Sequence, residues 1–85
     1  GYLKFVPISN PNLLCYSKQQ AKGKEISLRS LSCFNLSNSS QSLVIKDLKK
    51  FWPKGFKDII ENRDYSATNK VGTLLPHQAM IFIPN

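Results

Sequence analysis

The stretch from Ile26 to Ile45 constrains the fold most, because it holds two apolar segments separated by one polar segment. Along 26–36 the apolar side chains alternate with a period of two, as in a β-strand, and the phase of this alternation slips twice. The slips predict either a strand buried on both faces near its middle or a β-bulge near Arg29-Ser30. The polar segment 35–41 is interpreted as a turn closed by side-chain hydrogen bonds to the backbone. Leu43-Val44-Ile45 is then expected to return antiparallel, and this hairpin is the predicted nucleus of the fold.

Length and composition limit the function classes. A chain of 85 residues is expected to form one domain, 1–85, too small for a deep catalytic cleft between two lobes. Twelve Lys and Arg stand against five Asp and Glu, which gives a net charge of +7, and ten of the twelve basic residues are lysines. Nucleic-acid readers rely on Arg for bidentate contacts, and the lysines are dispersed. The charge is therefore interpreted as solvated surface, and nucleic-acid binding is disfavoured.

The two cysteines, Cys15 and Cys33, each lie among apolar neighbours. We expect two buried free thiols, and a bridge between them is the less favoured alternative. One His and two separated Cys do not supply a zinc site, so no metal or cofactor is expected. Neither a membrane-spanning segment nor the apolar core of a signal peptide is found, which predicts a soluble, cytoplasmic protein with no membrane partner. Asn35 and Asn38 begin glycosylation sequons and are interpreted as turn formers.

Turn signals and apolar runs predict further strands. An edge strand is expected at 3–8, and a strand at 13–19 is expected to pair with the strand that begins at Ile26 through a four- or five-residue loop. The segment 42–51 is left open between a strand and a short amphipathic helix. Further short strands are expected at 56–60, 65–68 and 79–83, with a turn at 69–72. The chain is therefore predicted to be all-β, a small antiparallel sandwich of Greek-key type with about six to eight short strands. Its predicted core consists of Leu14, Tyr16, Leu31, Cys33, Phe34, Leu43, Ile45, Ile59, Leu75, Ile81 and Phe82.

Three aromatic residues surround a Pro and a Gly in the segment 51–56. An exposed Trp52 with Phe51, and with Tyr65 further along, would form a flat platform for stacking a sugar ring. The favoured alternative is that the cluster packs at an open end of the sandwich, with Trp52 against Phe51, Phe56 or the chain after Pro53. Trp52, Phe51 and Tyr65 are the candidate carbohydrate-binding residues.

No catalytic residue is assigned. Glycoside hydrolysis needs two carboxyl groups close together in a cleft, and every acid here is expected to be solvated. These acids are Glu25, Asp47, Asp58, Glu61 and Asp64. A nucleophilic pair of Cys15 or Cys33 with His77 is disfavoured, because an apolar strand does not stabilise a thiolate.

Four segments occur in the order found in the C-terminal β-domain of the α-amylase superfamily, and the chain resembles most closely that domain of sucrose phosphorylase and related glycoside phosphorylases. The segments are Asn10–Tyr16, Leu31–Ser37, Phe56–Ile60 and Leu75–Phe82, the last with the pattern Leu-Pro-His-Gln before an apolar strand. They are distributed along residues 10–82, nearly the whole length of the chain.

The resemblance implies a β-sandwich that packs against a catalytic (β/α)₈ barrel and does no chemistry itself. The chain is accordingly expected to be a non-catalytic, C-terminal accessory domain of an enzyme of carbohydrate metabolism, a glycosyltransferase, phosphorylase or hydrolase that acts on α-glucosides. One alternative is an autonomous carbohydrate-binding module whose partner is α-glucan. A weaker alternative is a basic nucleic-acid-binding β-domain.

Overall fold

The computed structural model describes residues 2–85, which form an antiparallel, all-β structure with one short helix. The eight strands confirm the prediction of an all-β sandwich with six to eight strands. The elements are β1 Tyr2–Phe5, β2 Leu13–Lys22, β3 Glu25–Asn35, β4 Gln41–Val44, α1 Leu48–Phe51, β5 Phe56–Asp58, β6 Arg63–Tyr65, β7 Lys70–Leu74 and β8 Ala79–Pro84.

The strands form two sheets. The larger sheet has the order β1-β2-β3-β8-β5-β6, and the smaller one pairs β4 with β7. The last strand, β8, lies between β3 and β5, so the chain crosses over before it returns to the larger sheet. This confirms that the segment 79–83 pairs within the sheet, and β1 is an edge strand as predicted.

The β2–β3 hairpin contains a bulge at the predicted position. Lys18 pairs with Ser30, whereas the next residue of β2, Gln19, pairs with Leu28. Arg29 is therefore the extra residue of the bulge. The prediction of a four- or five-residue loop was wrong, because β2 and β3 are joined by Gly23-Lys24 alone. Gly23 has a φ of 63°, in the left-handed region that a tight two-residue turn requires.

The segment 41–45 does not return against β3, so the predicted hairpin between them was wrong. β4 pairs instead with β7, and the second neighbour of β3 is β8. The polar turn that follows β3 explains this. The buried amide nitrogen of Asn35 donates to the carbonyl oxygens of Ser39, Leu74 and Leu75, and its oxygen accepts from the backbone N–H of Ser37. Side-chain hydrogen bonds thus close the turn, as predicted, and they hold it against the end of β7.

Three other boundaries differ from the predictions. The segment 42–51, which was left open between a strand and a helix, contains both. β4 ends at Val44 and α1 begins at Leu48. The strand expected at 65–68 lies earlier, at 63–65. The turn expected at 69–72 is wrong: these residues belong largely to β7, where Gly72, with a φ of 128°, was interpreted as part of a turn.

The buried apolar residues of both sheets form one core. Five predicted core residues are buried, namely Leu31, Cys33, Leu43, Ile45 and Phe82. Four others are only half-buried, namely Leu14, Tyr16, Phe34 and Ile81. β2 turns Leu13, Cys15 and Ser17 inwards, so Leu14 and Tyr16 lie on the other face of the sheet. Cross-strand pairing places Phe34 and Ile81 on that same face. Ile59 and Leu75 lie outside the strands and are exposed. The remaining core residues are Leu13, Cys15, Leu48, Trp52, Phe56, Val71, Leu74 and Met80.

Cys15 and Cys33 form a disulfide, so the expectation of free thiols was wrong. The two residues are directly opposite each other in β2 and β3, on the buried face, with their Cα atoms 4.2 Å apart. The bulge creates this register, because if Arg29 paired regularly with Lys18 the residue opposite Cys15 would be Ser32.

Candidate functional site

The larger sheet has a second apolar face, which points away from β4 and β7 and which we call the outer face. Its apolar side chains alternate along the strands with those of the core. Cross-strand register places Phe5 opposite Tyr16 and Leu14 opposite Phe34. The apolar members of the outer face are Leu3, Phe5, Leu14, Tyr16, Phe34, Ile81 and Ile83.

Solvent reaches much of the outer face. The side chains of Leu3 and Phe5 are 72% and 62% exposed, and Ile83 is also exposed. The rings of Phe5 and Tyr16 lie with their centroids 4.6 Å apart at an angle of 35°. Large apolar side chains that cluster on one accessible face are typical of a surface that contacts another molecule.

Trp52 lies inside the protein. Its side chain is 3% exposed, and its ring centroid is 5.6 Å from that of Phe56. The indole Nε1–H donates to the carbonyl oxygen of Leu28 over 2.9 Å. This confirms that Trp52 packs against Phe56, and it connects the end of α1 to β3.

The other two candidate carbohydrate-binding residues lie apart from each other. Tyr65 stacks on Phe56, with centroids 5.0 Å apart and an interplanar angle of 6°, and the guanidinium carbon of Arg63 lies 5.1 Å from the Tyr65 ring centroid. Burial raises the pKa of Tyr65, an effect that the Arg63 charge opposes. Phe51 is exposed on α1. Trp52, Phe51 and Tyr65 therefore do not share one exposed plane.

Asp58 corrects the expectation that every acid is solvated. It is fully buried, and its Oδ1 accepts from the backbone N–H of Ile60, whereas its Oδ2 has no hydrogen-bond partner within residues 2–85. The other four acids are exposed. Asp58 was missed because its polar neighbours at 61–64 indicate a turn, and the strand position that turns it inwards is visible only in the structure.

The nucleophilic pair of His77 with Cys15 or Cys33 is not formed. The thiols of Cys15 and Cys33 are joined, and His77 is exposed beside Asn38, with its Nε2 2.8 Å from the Asn38 Oδ1. Within residues 2–85, no group of three or more His, Cys, Asp or Glu could hold a metal ion.

Comparisons with known proteins do not assign this chain to a family. No protein-family model matches the chain, and no curated protein has a significantly similar sequence. In the part of the chain that the structure describes, no helix is long and apolar enough to cross a membrane.

Proposed function

We propose that this chain is a non-catalytic accessory domain that packs its outer face against the catalytic barrel of an α-amylase-superfamily enzyme acting on α-glucosides. The observation that carries the proposal is the apolar character of both faces of the larger sheet. β4, β7 and α1 supply the residues that cover one face, while Phe5, Tyr16 and their neighbours remain accessible on the other. A sheet that is apolar on both faces generally lies between two packed layers.

The four segments that resemble the sucrose phosphorylase C-terminal domain support this choice of partner. Three of them contribute directly to the outer face: Asn10–Tyr16 supplies Leu14 and Tyr16, Leu31–Ser37 supplies Phe34, and Leu75–Phe82 supplies Ile81. The role is stabilising rather than chemical, because one buried carboxyl group, Asp58, cannot replace the pair that retaining glycosidases use. The chain alone should therefore turn over neither sucrose nor maltose.

The reading frame upstream of Gly1 tests the proposal directly. It should encode several hundred residues in which buried strands alternate with amphipathic helices, the pattern of a (β/α)₈ barrel. A start codon immediately before Gly1, or an upstream sequence without this alternation, would contradict the assignment.

One observation favours a second candidate, an autonomous carbohydrate-binding module. Phe5 and Tyr16 form an accessible aromatic pair on the outer face, and aromatic rings are suited to stacking against sugar rings. In that case, maltooligosaccharides should bind the isolated chain, and Phe5→Ala should abolish binding without changing the melting temperature. If the wild-type chain does not bind maltooligosaccharides, this candidate is excluded, and the accessory domain that packs against a catalytic barrel remains the proposal.

A further inference from the structure

A groove of about 450 Å³ lies on the inner side of the β1–β3 ribbon, beside α1. Its floor includes Leu31 and Leu48, which are fully buried. Ile26 on β3 and Phe51 on α1 also line it, and they are 54% and 53% exposed. We call this feature the inner groove. Its volume lies in the range of small-molecule sites, which are mostly apolar with a few polar groups.

The charged groups along the inner groove all have the same sign. Lys4, Lys24 and Lys46 line it, and no Asp or Glu is found among the lining residues that the structure describes. Its neutral polar groups are largely paired within the protein, because the Gln19 amide donates to the Ser17 hydroxyl, which donates to the Lys4 carbonyl oxygen. The unmatched feature of the groove is therefore its positive charge.

We propose that the inner groove binds a small amphipathic anion, an aliphatic or aromatic body that carries one carboxylate. The apolar body would lie between Ile26 and Phe51, over the buried Leu31 and Leu48, where it removes the exposed apolar surface of Ile26 and Phe51 from water. The carboxylate would pair with the lysine ammonium groups at the groove. Most of this site lies on the opposite face of the larger sheet from the outer face, and Phe5 lines the groove from the sheet edge. The proposal does not depend on the proposed function.

An added peptide strand fits the groove less well. β3 pairs with β8 only over Leu31–Phe34, so its segment Glu25–Ser30 forms a free edge there. The carbonyl oxygen of Leu28, in the middle of that edge, already accepts the Trp52 Nε1–H. A peptide that adds as a strand would compete with this bond, whereas a small anion leaves it intact.

Decanoate is a suitable probe below its micelle concentration, and decanol is its uncharged counterpart. Trp52 is the only Trp and contacts the backbone of Leu28, a lining residue, so its fluorescence should report occupancy. We expect a saturable change with decanoate. Decanol should bind more weakly, by up to about fivefold per ion pair, since exposed charge pairs contribute up to about 1 kcal/mol each.

Variants separate this site from nonspecific binding. Lys24→Gln combined with Lys46→Gln should weaken the binding of decanoate by up to about fivefold per lysine that pairs with the carboxylate, and should leave the binding of decanol unchanged. Ile26→Asp, at an exposed position, should abolish binding with an unaltered melting temperature. Lys57→Gln, which changes a lysine outside the groove, is the matched control and should change nothing. The proposal is overturned by the absence of a saturable change, by equal affinity for decanoate and decanol, or by an acidic peptide that binds the groove more tightly than decanoate.

Discussion

Replacement of Trp52 by Ala should remove a large share of the stability of this protein. The indole is 3% exposed, packs on Phe56 and donates to the Leu28 carbonyl oxygen. Truncation of a buried Trp destabilises by about 3–5 kcal/mol, and the unpaired carbonyl contributes about 1 kcal/mol to that loss. Since 85 residues correspond to a total of roughly 4–13 kcal/mol, the substitution removes at least about a quarter of the stability and, at the low end of that range, all of it.

Urea unfolding followed by far-ultraviolet circular dichroism measures this loss, because the variant has no tryptophan to observe. With a slope of about 1–3 kcal/mol per molar urea, a loss of 4 kcal/mol lowers the midpoint by roughly 2 M. Trp52→Phe should lose less, roughly 1–3 kcal/mol, because a ring remains against Phe56 while the hydrogen bond is lost. Phe51→Ala is the matched control at an exposed neighbouring position and should stay within about 0.5 kcal/mol of wild type. A Trp52→Ala midpoint equal to that of wild type would refute the structural role assigned to the indole.

Three further perturbations test the interior. Reduction of the Cys15–Cys33 bridge, which joins residues 18 apart, should lower the unfolding free energy by about 3 kcal/mol in urea titrations, and an unchanged midpoint would contradict its contribution. Asn35→Ala leaves buried carbonyl oxygens unpaired and should lose about 2–4 kcal/mol by the same assay, whereas the exposed Asn38→Ala should lose little. The raised pKa of Tyr65 stabilises the fold below the ordinary Tyr pKa of 10.0, and this stability should be lost as pH rises through the folded-state pKa. Melting temperatures measured across that pH range should therefore fall less steeply in Tyr65→Phe, and identical slopes would contradict the contribution of burial.

Local patterns in the sequence were sufficient for part of the fold. The phase slip around Arg29 indicated a bulge as one of two alternatives, because an extra residue changes which neighbours share a face. The apolar run at 79–83 predicted β8, since β-branched residues in such a run favour a buried strand. Asn35 marked the polar turn because its side chain bonds within a few residues of its own position.

Features that depend on long-range register could not be predicted. The Cys15–Cys33 bridge requires both the two-residue turn at Gly23-Lys24 and the bulge. With this turn but no bulge, or with the bulge but another turn length, Cys15 and Cys33 would not lie opposite each other. The partner of β4 was assigned wrongly because Asn35 bonds to Leu74, 39 residues further along the chain. Leu14 and Tyr16 were assigned to the core because both faces of β2 carry apolar residues, and alternation cannot show which face the second sheet covers.

The candidate site was predicted less well than the fold. Aromatic composition drew attention to Trp52, whose indole proved to be structural. The accessible aromatic pair, Phe5 with Tyr16, is formed by the antiparallel register of β1 and β2. Its signal in the sequence was the second apolar face of β2, which was interpreted as core.

Calorimetric titration of this chain into the isolated barrel of a sucrose phosphorylase, lacking its own C-terminal domain, tests the central claim most directly. We predict saturable binding with a negative heat-capacity change, the signature of buried apolar surface. Phe5→Ser and Tyr16→Ser on the outer face should abolish it, while Phe51→Ser on α1 should bind like wild type. The absence of binding, or outer-face variants that bind as tightly as wild type, would contradict the account.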